Sequence, residues 1–522
     1  MPREYIAVTI GPILRTMNLT TSPGALWASS YLFSWVAREI RKALIEEKLA
    51  GEEQFITPYS ADRSHLERND GLGLLHDRMI FEKTDAFTFE KFRAIRDKVL
   101  KGADEAFAIH NPDFLRKYIM VSAVSFRAEN PVLGCGKILD CMELAVPFVP
   151  REERNPLLDF FTNGGSDEGR NQAIKKQGTE VLGIDPEKWQ LLRPAGSAAD
   201  AEDRCARYNV LDLPAIARGG TAGSGLKKHL YYAAVRSDGD NMGKLIESLQ
   251  IRQGEDPYAE YHAFSQACLA YCERVALLVR EYLGMTVYAG GDDLLALLPC
   301  ENRNGKTVFH FVREANRIFR EIFVDRGGFH LKADALPSLT WGITICHCKY
   351  PLNEALEDSA ALLFGAKGRG GSYKNAVNLR LIKHSGQAGA VILSNGVLES
   401  DAFSGLLEKV AGMARKDGGS ADEILLSCLH AIGEFRVLFS QAGRENIQDL
   451  FTNMFDADAH EGSVFLHEDL PDFCGEYCMS GMICALDENG DRVAPDKPDH
   501  AAAMEALLRV LKFLTEKAGE RE

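Results

Sequence analysis

The sequence lacks the long apolar segments that lead a protein into or through a membrane. No stretch of its 522 residues approaches the roughly 18 uninterrupted apolar residues of a membrane-spanning helix. The first residues, MPREYIAVTIGP, lack the basic-then-apolar order of a secretory signal and are typical of a β-strand. We therefore expect a cytoplasmic protein that does not contact a membrane.

The sequence also lacks a cysteine pattern that would predict disulfides or zinc. Its twelve cysteines are scattered along the chain and include no C-x-x-C pair. The pairs nearest to metal-ligand spacing are Cys135 with Cys141, Cys346 with Cys348, and Cys474 with Cys478. Buried free thiols are the expected state of these side chains.

Positive charge is not in excess either. The formal net charge is −15, which argues against a protein that wraps nucleic acid by itself, because such binding needs a broad basic face. A local basic groove, or RNA held nearby by partner proteins, is compatible with this balance.

Two segments of the chain carry the same predicted order of elements, β-α-β-β-α-β. Strands of the first segment are predicted at EYIAVTIGP, QFITPY, LLHDRMIFE and YIMVSAVSF. Strands of the second are predicted at LYYAAVRSDGD, in both arms of MTVYAGGDDLLALLP, and at SLTWGITICHC, with NAVNLRLIK as a last strand. This order is that of the ferredoxin-like fold, so the expected class is α+β with two such units and additional helical domains.

These patterns predict four domains. A first ferredoxin-like domain covers 1–127, a linker or helical region 128–227, a second ferredoxin-like domain 228–384, and a C-terminal helical bundle 385–522. The Gly-rich stretch ARGGTAGSGLKKH indicates a flexible connection before the second ferredoxin-like domain.

An acidic turn stands between the two arms of the predicted hairpin of the second unit. Hairpin geometry explains Gly290 and Gly291, but it does not explain Asp292 and Asp293, whose adjacent charges repel each other beside buried strands. Asp238 ends the first strand of the same unit, which neighbours the hairpin in a sheet of this order. We call Asp238, Asp292 and Asp293 the acidic triad.

Three carboxylates so placed can hold two Mg²⁺ or Mn²⁺ ions about 4 Å apart, the arrangement of in-line phosphoryl transfer. Solvated turn residues are the alternative interpretation. Nearby, Asp240 is counted among the expected nucleotide-binding residues, and it either assists the metals or caps the helix that begins near Met242, with Asn241 as a rival cap. Gly239 leaves room for a phosphate to approach backbone amides.

A basic loop follows in AKGRGGSYKNAVN. Lys367, Arg369 and Lys374 lie where they can reach a triphosphate, although the loop lacks the G-x-x-x-x-G-K-[ST] pattern of a Walker motif. An ordinary solvated loop is the alternative.

The first unit lacks the acidic residues of the second. Its opening strand ends in TIGP, and its hairpin has no GGDD. His76 and Asp77 form a His-Asp dipeptide, but a metal-dependent phosphohydrolase would need helices and further ligands, and here the dipeptide enters a predicted strand. We expect the first unit to be a catalytically silent copy.

These motifs resemble a known family. SDGDNMG followed by YAGGDDLLALLP resembles the palm domain of the large subunit of CRISPR type III effector complexes. IGPILRTMN with SPGALWASSYLFSWVAREI is similar to the start of the first palm-like domain of that family, particularly its type III-B branch. The stretch GITICHCKYPLNEALEDSAALLFGAKGRGGSYKNAV is similar to the region ending in AK…GKNA, so the resemblance extends from about Tyr5 to Arg380.

The resemblance implies a target-RNA-activated nucleotidyltransferase that joins ATP units into cyclic oligoadenylate second messengers. It assigns catalysis and metal binding to the acidic triad, triphosphate approach to Gly290 and Gly291, and phosphate contact to Lys374. The second palm domain would bind the donor ATP and the first the acceptor. The implied partners are the other subunits of a type III complex, with guide RNA and target RNA bound mostly through the complex.

Departures from the family leave alternatives open. Many members carry an N-terminal HD nuclease domain, whereas this chain starts at the first palm domain, so we expect no DNA cleavage. The zinc-binding cysteines of many relatives are degenerate here, at Cys135, Cys141 and Cys205. Members without the HD domain include enzymes that conjugate AMP to S-adenosylmethionine, which makes that product an alternative. A stand-alone nucleotide cyclase of the GGDEF or adenylyl cyclase type and a non-catalytic scaffold are the remaining alternatives.

Overall fold

Two β-sheets organise the chain. The computed structural model of the protein describes residues 3–67, 73, 75–106, 113–144, 157, 161, 169, 174, 176, 212–219, 227–254, 256–325, 328–332, 335–368, 374–383, 386–416, 420–455, 464–487, 490–493 and 499–515. Most of the predicted linker 128–227 lies outside these residues. Among the described helices, none is both long and apolar enough to cross a membrane.

The first sheet has four strands in the order β2-β3-β1-β4. These strands are β1 (Glu4–Gly11), β2 (Phe55–Thr57), β3 (Arg78–Glu82) and β4 (Met120–Arg127). All three strand pairs are antiparallel, and β1 pairs with β3 on one side and β4 on the other. Because β1 is buried along almost its whole length, its β-branched and aromatic residues suit a central strand.

Helices of this part begin where the sequence offers the right residues. They are α1 (Ile13–Met17), α2 (Pro23–Glu46), α3 (Phe89–Ala106), α4 (Phe114–Tyr118), α5 (Pro131–Glu143) and α6 (Leu213–Arg218). Ser22 caps α2 by accepting from the Ala25 amide at 3.4 Å, and Pro23 follows at the first helical position.

The second sheet has seven strands in the order β11-β10-β9-β8-β5-β7-β6. They are β5 (Tyr231–Asp240), β6 (Met285–Gly290), β7 (Asp293–Pro299), β8 (Ser338–His347), β9 (Ala376–Lys383), β10 (Gly386–Ser394) and β11 (Ile483–Ala485). Its part β8-β5-β7-β6 repeats the order β4-β1-β3-β2 of the first sheet. The predicted α+β class with two ferredoxin-like sheets and helical parts is therefore confirmed.

The remaining helices connect and cover these strands. They are α7 (Met242–Ser248), α8 (Ala259–Glu281), α9 (Val308–Arg320), α10 (Leu352–Gly368), α11 (Asn395–Leu398), α12 (Asp401–Lys416), α13 (Ser420–Glu434), α14 (Arg436–Gln441), α15 (Ile447–Met454), α16 (Leu470–Phe473) and α17 (His500–Thr515). Helix α8 packs on β6, and α17 packs on β10 and β11.

The strand predicted at NAVNLRLIK is present, but the prediction that the chain after it is a helical bundle is wrong in part. This strand is β9, which runs parallel to β8, but β10 then pairs antiparallel with β9 and β11 pairs antiparallel with β10. The apolar run of β10 is short, and periodicity alone does not separate such a run from a buried helix. Part of the predicted helical region thus extends the sheet, while the four domain boundaries stay a prediction.

Contacts group the chain into two units. One comprises Met1–Ile216, Asn241–Ala296 and Ala315–Ser338, and the other comprises Ala217–Asp240, Leu297–Glu314 and Leu339–Glu522. The four-stranded sheet and α8 belong to the first unit. The strands β8 to β11, apart from Ser338 at the start of β8, and the C-terminal helices belong to the second.

Candidate active site

The three carboxylates of the acidic triad come from neighbouring strands of the second sheet. Asp238 lies near the end of β5, Asp292 lies in the turn after β6, and Asp293 opens β7. One carboxylate oxygen from each side chain lies within 4.8 Å of the others, and each side chain is half-buried. Within the described ranges, this is the one group of three or more His, Cys, Asp or Glu side chains close enough to share an ion.

The charge of this group has a chemical consequence. Three carboxylates at such separations repel one another, and partial burial strengthens the repulsion. Hard carboxylate oxygens are the ligands that Mg²⁺ and Mn²⁺ prefer. The donor set therefore fits a divalent cation, and neighbouring strands place it at one edge of the sheet.

The turn that carries Asp292 depends on glycine. Gly291 has a φ of +71°, which side-chain-bearing residues rarely adopt. A Cβ at Gly291 would meet no atom of the described residues within 4 Å, whereas a Cβ at Gly290 would lie 3.8 Å from the Cβ of His76. The side of the turn at Gly291 is therefore open to an incoming group.

Helix α8 supports the other side of the turn. The Cys272 thiol donates to the Gly291 carbonyl at 3.5 Å. Burial, and then the neighbouring Asp292, raises the pKa of Cys272 and of Cys268 well above the usual range of a thiol. Both thiols therefore remain protonated, and Cys272 remains a donor. Sequence reasoning missed this contact, because a cysteine at helical spacing gives no signal of it.

Asp240 is oriented into the protein and not toward solvent. Its side chain is 1% exposed and accepts hydrogen bonds from the Thr340 hydroxyl at 2.7 Å and the Asn375 amide at 3.0 Å. The residue at the N-cap of α7 is Asn241, but its side chain makes no capping bond and instead donates to the Leu336 carbonyl at 3.1 Å. Thr340 is a second residue that sequence reasoning missed.

The structure describes some of the other residues that we predicted to contact a nucleotide. Gly239 lies within β5, between Asp238 and Asp240. Lys374 is exposed and directly precedes Asn375. Lys367 lies in α10, but its side chain, like the whole of 369–373 with Arg369, is outside the described residues.

The His-Asp dipeptide lies beside the first sheet, just before β3. His76 Nε2 lies 3.0 Å from the Thr57 hydroxyl. Burial lowers the pKa of His76 and raises the pKa of Asp77. In the described part of the chain neither residue belongs to a cluster of metal ligands. Of the cysteines considered for zinc, Cys135 is buried and Cys141 exposed, while Cys205 lies outside the described residues.

Comparison with known proteins finds relatives of the segment that carries this site. Residues 231–378, which contain the acidic triad and Lys374, match the sequence profile of Cas10/Cmr2, second palm domain. The chain is 33% identical over 177 residues to the CRISPR system Cmr subunit Cmr2 of Pyrococcus furiosus, covering 30% of this chain and 19% of that protein. It is 27% identical over 189 residues to the Cmr2 subunit of Saccharolobus solfataricus, covering 31% and 17%. The matched segments thus span about a fifth of each curated relative.

Solved structures extend the likeness in fold. A chain of the type III-B Cmr-beta complex bound to cognate target RNA matches with a TM-score of 0.58 at 11% identity, covering 99% of this chain and 83% of that chain. A chain of the apo Csm1–Csm4 cassette matches with a TM-score of 0.52 at 12% identity, covering 99% and 70%. These structures show a likeness in fold, and the sequence match of residues 231–378 to the Cas10/Cmr2 second palm domain confirms the resemblance to the large palm-domain subunits of type III CRISPR systems.

Proposed function

We propose that this chain is a nucleotidyltransferase subunit of a type III CRISPR effector complex. When the complex binds target RNA, the chain joins ATP units into cyclic oligoadenylate second messengers and releases pyrophosphate. The observation that carries this proposal is the acidic triad, whose carboxylate oxygens lie within 4.8 Å of one another inside a segment that matches a Cas10/Cmr2 second palm domain.

The reaction is adenylyl transfer. A ribose hydroxyl of one nucleotide attacks the α-phosphorus of an ATP and gives up its proton to water, the bond from the α-phosphorus to the oxygen that bridges to the β-phosphate breaks, and pyrophosphate leaves. Bound Mg²⁺ or Mn²⁺ would lower the pKa of the attacking hydroxyl and stabilise the leaving pyrophosphate. Asp238, Asp292 and Asp293 would hold these ions.

The rest of the site would bind and orient the triphosphate. Gly291 carries no side chain at the turn, so phosphates can approach the backbone there. Lys374 is exposed, and the amide of the next residue donates to Asp240 at the end of β5. The Lys374 ammonium supplies a compact positive charge for phosphate oxygens. Cys272 holds the Gly291 carbonyl from behind the turn and so orients the peptide that carries Asp292.

The partners follow from the relatives and from charge. A protein of similar fold was determined in a Cmr-beta complex bound to target RNA, and another, with a TM-score of 0.50, in a Csm1–Csm4 cassette with AMPPNP. We infer that this chain also works beside other effector subunits. Its net charge of −15 favours guide and target RNA being held mostly by those subunits.

Product analysis by mass spectrometry tests the proposal. The chain is assembled with its operon partners, guide RNA and matching RNA, and given ATP and Mg²⁺ with and without S-adenosylmethionine. We expect cyclic adenylates from ATP alone, and none from a complex carrying Asp292→Ala with Asp293→Ala. An adduct that forms only with S-adenosylmethionine would mean that S-adenosylmethionine, and not a second ATP, accepts the AMP group. Unchanged ATP consumption by the double variant, or no product in either mixture, would overturn the assignment.

A further inference from the structure

A buried carboxylate lies two residues beyond Asp238 on the same strand. Asp240 ends β5 and is 1% exposed. One of its oxygens, Oδ2, accepts from the Thr340 hydroxyl at 2.7 Å and from the Asn375 amide at 3.0 Å. A buried carboxylate is costly unless it is hydrogen-bonded, and these two bonds join the end of β5 to β8 and to the segment that enters β9.

Asn375 is fixed at more than this one point. Its φ is +55°, in the left-handed region, and its amide also lies 3.0 Å from the Thr340 hydroxyl. Asn395 donates from its side chain to the Asn375 side-chain oxygen at 2.9 Å and from its backbone to the Asn375 carbonyl at 2.8 Å. The amide, side chain and carbonyl of Asn375 are therefore all held.

The residue directly before this fixed point is Lys374, which is exposed. The Lys374–Asn375 peptide is the one whose N–H donates to Asp240. Residues 238 and 240 face the same side of a strand, because side chains alternate along it. The strand end that offers Asp238 to a metal thus also fixes the backbone from which Lys374 extends.

We infer that Asp240 is a positioning residue that acts through Lys374. Its carboxylate holds the Lys374–Asn375 peptide at the end of β5, so that the ammonium group of Lys374 meets the β- and γ-phosphates of a nucleotide bound at the acidic triad. This inference rests on the proposed function, and it gives Asp240 neither metal binding nor direct nucleotide contact.

Nucleotide affinity without turnover tests this role. The full chain is titrated with α,β-methylene-ATP, which cannot undergo cleavage between its α- and β-phosphates, in the presence of Mn²⁺. AMP serves as the probe that lacks the β- and γ-phosphates. The variants are Asp240→Ala, Lys374→Ala and the double variant, with Asp240→Asn as the conservative change, since an amide oxygen can still accept both bonds.

A matched control perturbs the same region but leaves the contacts of Asp240 with Thr340 and Asn375 intact. Asn378 in β9 is buried and donates to the Trp341 carbonyl at 3.1 Å. Asn378→Ala therefore removes a comparable buried bond between β9 and β8, and the affinity for α,β-methylene-ATP should stay at the wild-type value.

We expect Asp240→Ala and Lys374→Ala each to weaken α,β-methylene-ATP binding about tenfold, the size of one contact to a charged group. Asp240→Ala should add nothing in the Lys374→Ala background, because a residue that acts through another is silent once that other is removed. AMP affinity and Mn²⁺ binding should be unchanged, and Asp240→Asn should restore most of the affinity.

Several results would overturn the inference. Equal losses from Asp240→Ala with and without Lys374, or a loss of Mn²⁺ binding, would mean that Asp240 acts directly. No effect of Asp240→Ala, or none of Lys374→Ala, would remove the positioning role while leaving the acidic triad intact. Failure of the wild-type chain to bind α,β-methylene-ATP more tightly than AMP would instead defeat the proposed function. If Asp240→Ala does not fold, Thr340→Val, which removes one of the donors to Asp240, must give the same pattern with a smaller loss.

Discussion

The two sheets share a strand order, but they differ in charge where the third strand of each begins beside the first strand. We call the start of β3 beside β1 the first corner and the start of β7 beside β5 the second corner. In the first sheet the third strand begins with Arg78, which lies opposite Thr9 of β1. The Arg78 guanidinium donates to Glu143 at 2.9 Å and to Asp140 at 2.7 Å, both on α5, and the Thr9 hydroxyl donates to Glu143 at 2.6 Å. Although burial lowers the pKa of Arg78, these carboxylates raise it above its usual value.

In the second sheet the third strand begins with Asp293, and the neighbouring first strand carries Asp238. The first corner pairs a guanidinium with two carboxylates, whereas the second gathers three carboxylates whose oxygens lie within 4.8 Å of one another. One strand order therefore supports both an ion-pair network and a cluster of carboxylates that we propose as a cation site. The difference lies in a few residues at the strand ends, and this explains why we expect chemistry in the second sheet alone.

The largest effect should follow from removing charge at the second corner. Asp292→Asn with Asp293→Asn should reduce ATP turnover at least about 100-fold, because the charge that binds the metal is lost. In a thermal melt, Mn²⁺ at about 100 times its Kd should stabilise the wild-type chain by about 2.7 kcal/mol and the double variant hardly at all.

The exposed Asp85 before α3 provides the control for this change. Asp85→Asn alters net charge but no strand end, so it should keep both the turnover and the Mn²⁺ response. An equal Mn²⁺ shift in the wild type and the double variant would show that the corner holds no metal.

The first corner should respond in its stability and not in metal binding. Arg78→Ala leaves Glu143 and Asp140 without their cation, and we expect a loss of about 1–2 kcal/mol in the free energy of unfolding, limited by the partial exposure of Arg78. Urea denaturation measures this loss, with the exposed Arg93→Ala as control. An unchanged midpoint would mean that the ion-pair network contributes nothing.

Substitution of the turn glycines should separate geometry from charge. Gly291→Ala forces a side chain into a φ of +71° at a cost of about 1 kcal/mol, so Mn²⁺ affinity should fall about fivefold as Asp292 is displaced. Gly290→Ala is the matched control, because its Cβ would meet only ordinary contact at 3.8 Å from His76. Equal affinities for the two variants in a Mn²⁺ titration would argue against a turn that is built for the metal.

The smallest effect concerns acid stability of the first sheet. Glu4 accepts hydrogen bonds from Lys83 at 2.7 Å and from Ser125, and these contacts lower its pKa from 4.5 to about 2. The stabilisation is present above pH 4.5 and is lost as the pH falls toward 2. Glu4→Gln should therefore flatten the pH dependence of stability in that window, measured by urea midpoints at several pH values. An unchanged slope, equal to that of the exposed control Glu90→Gln, would contradict this assignment.

Much of the sheet architecture could be predicted from sequence because the strands are strongly patterned. The arms around GGDD are apolar runs, and β1 and β5 contain β-branched and aromatic residues that favour strands. Strand β11 could not be predicted, since its three residues become a strand only by pairing with β10.

The approach of Asp238 to Asp292 and Asp293 was accessible because it follows from strand order alone. The contacts of Asp240 could not be predicted, because its partners Thr340 and Asn375 lie 100 and 135 residues away in sequence. That contact depends on the placement of β8 beside β5 and on the left-handed backbone of Asn375. No local sequence pattern predicts either feature. Sequence reasoning therefore recovers groups that topology unites and misses groups that side-chain packing unites.

The central claim is that the acidic triad binds the metal of a nucleotidyl transfer site. The most direct test is a crystal of the full chain grown with Mn²⁺ and α,β-methylene-ATP, with diffraction recorded at the manganese absorption edge. We predict anomalous peaks coordinated by Asp238, Asp292 and Asp293, with the triphosphate bound to the same ions. Manganese found elsewhere, or a triad without manganese beside a bound nucleotide, would contradict the account.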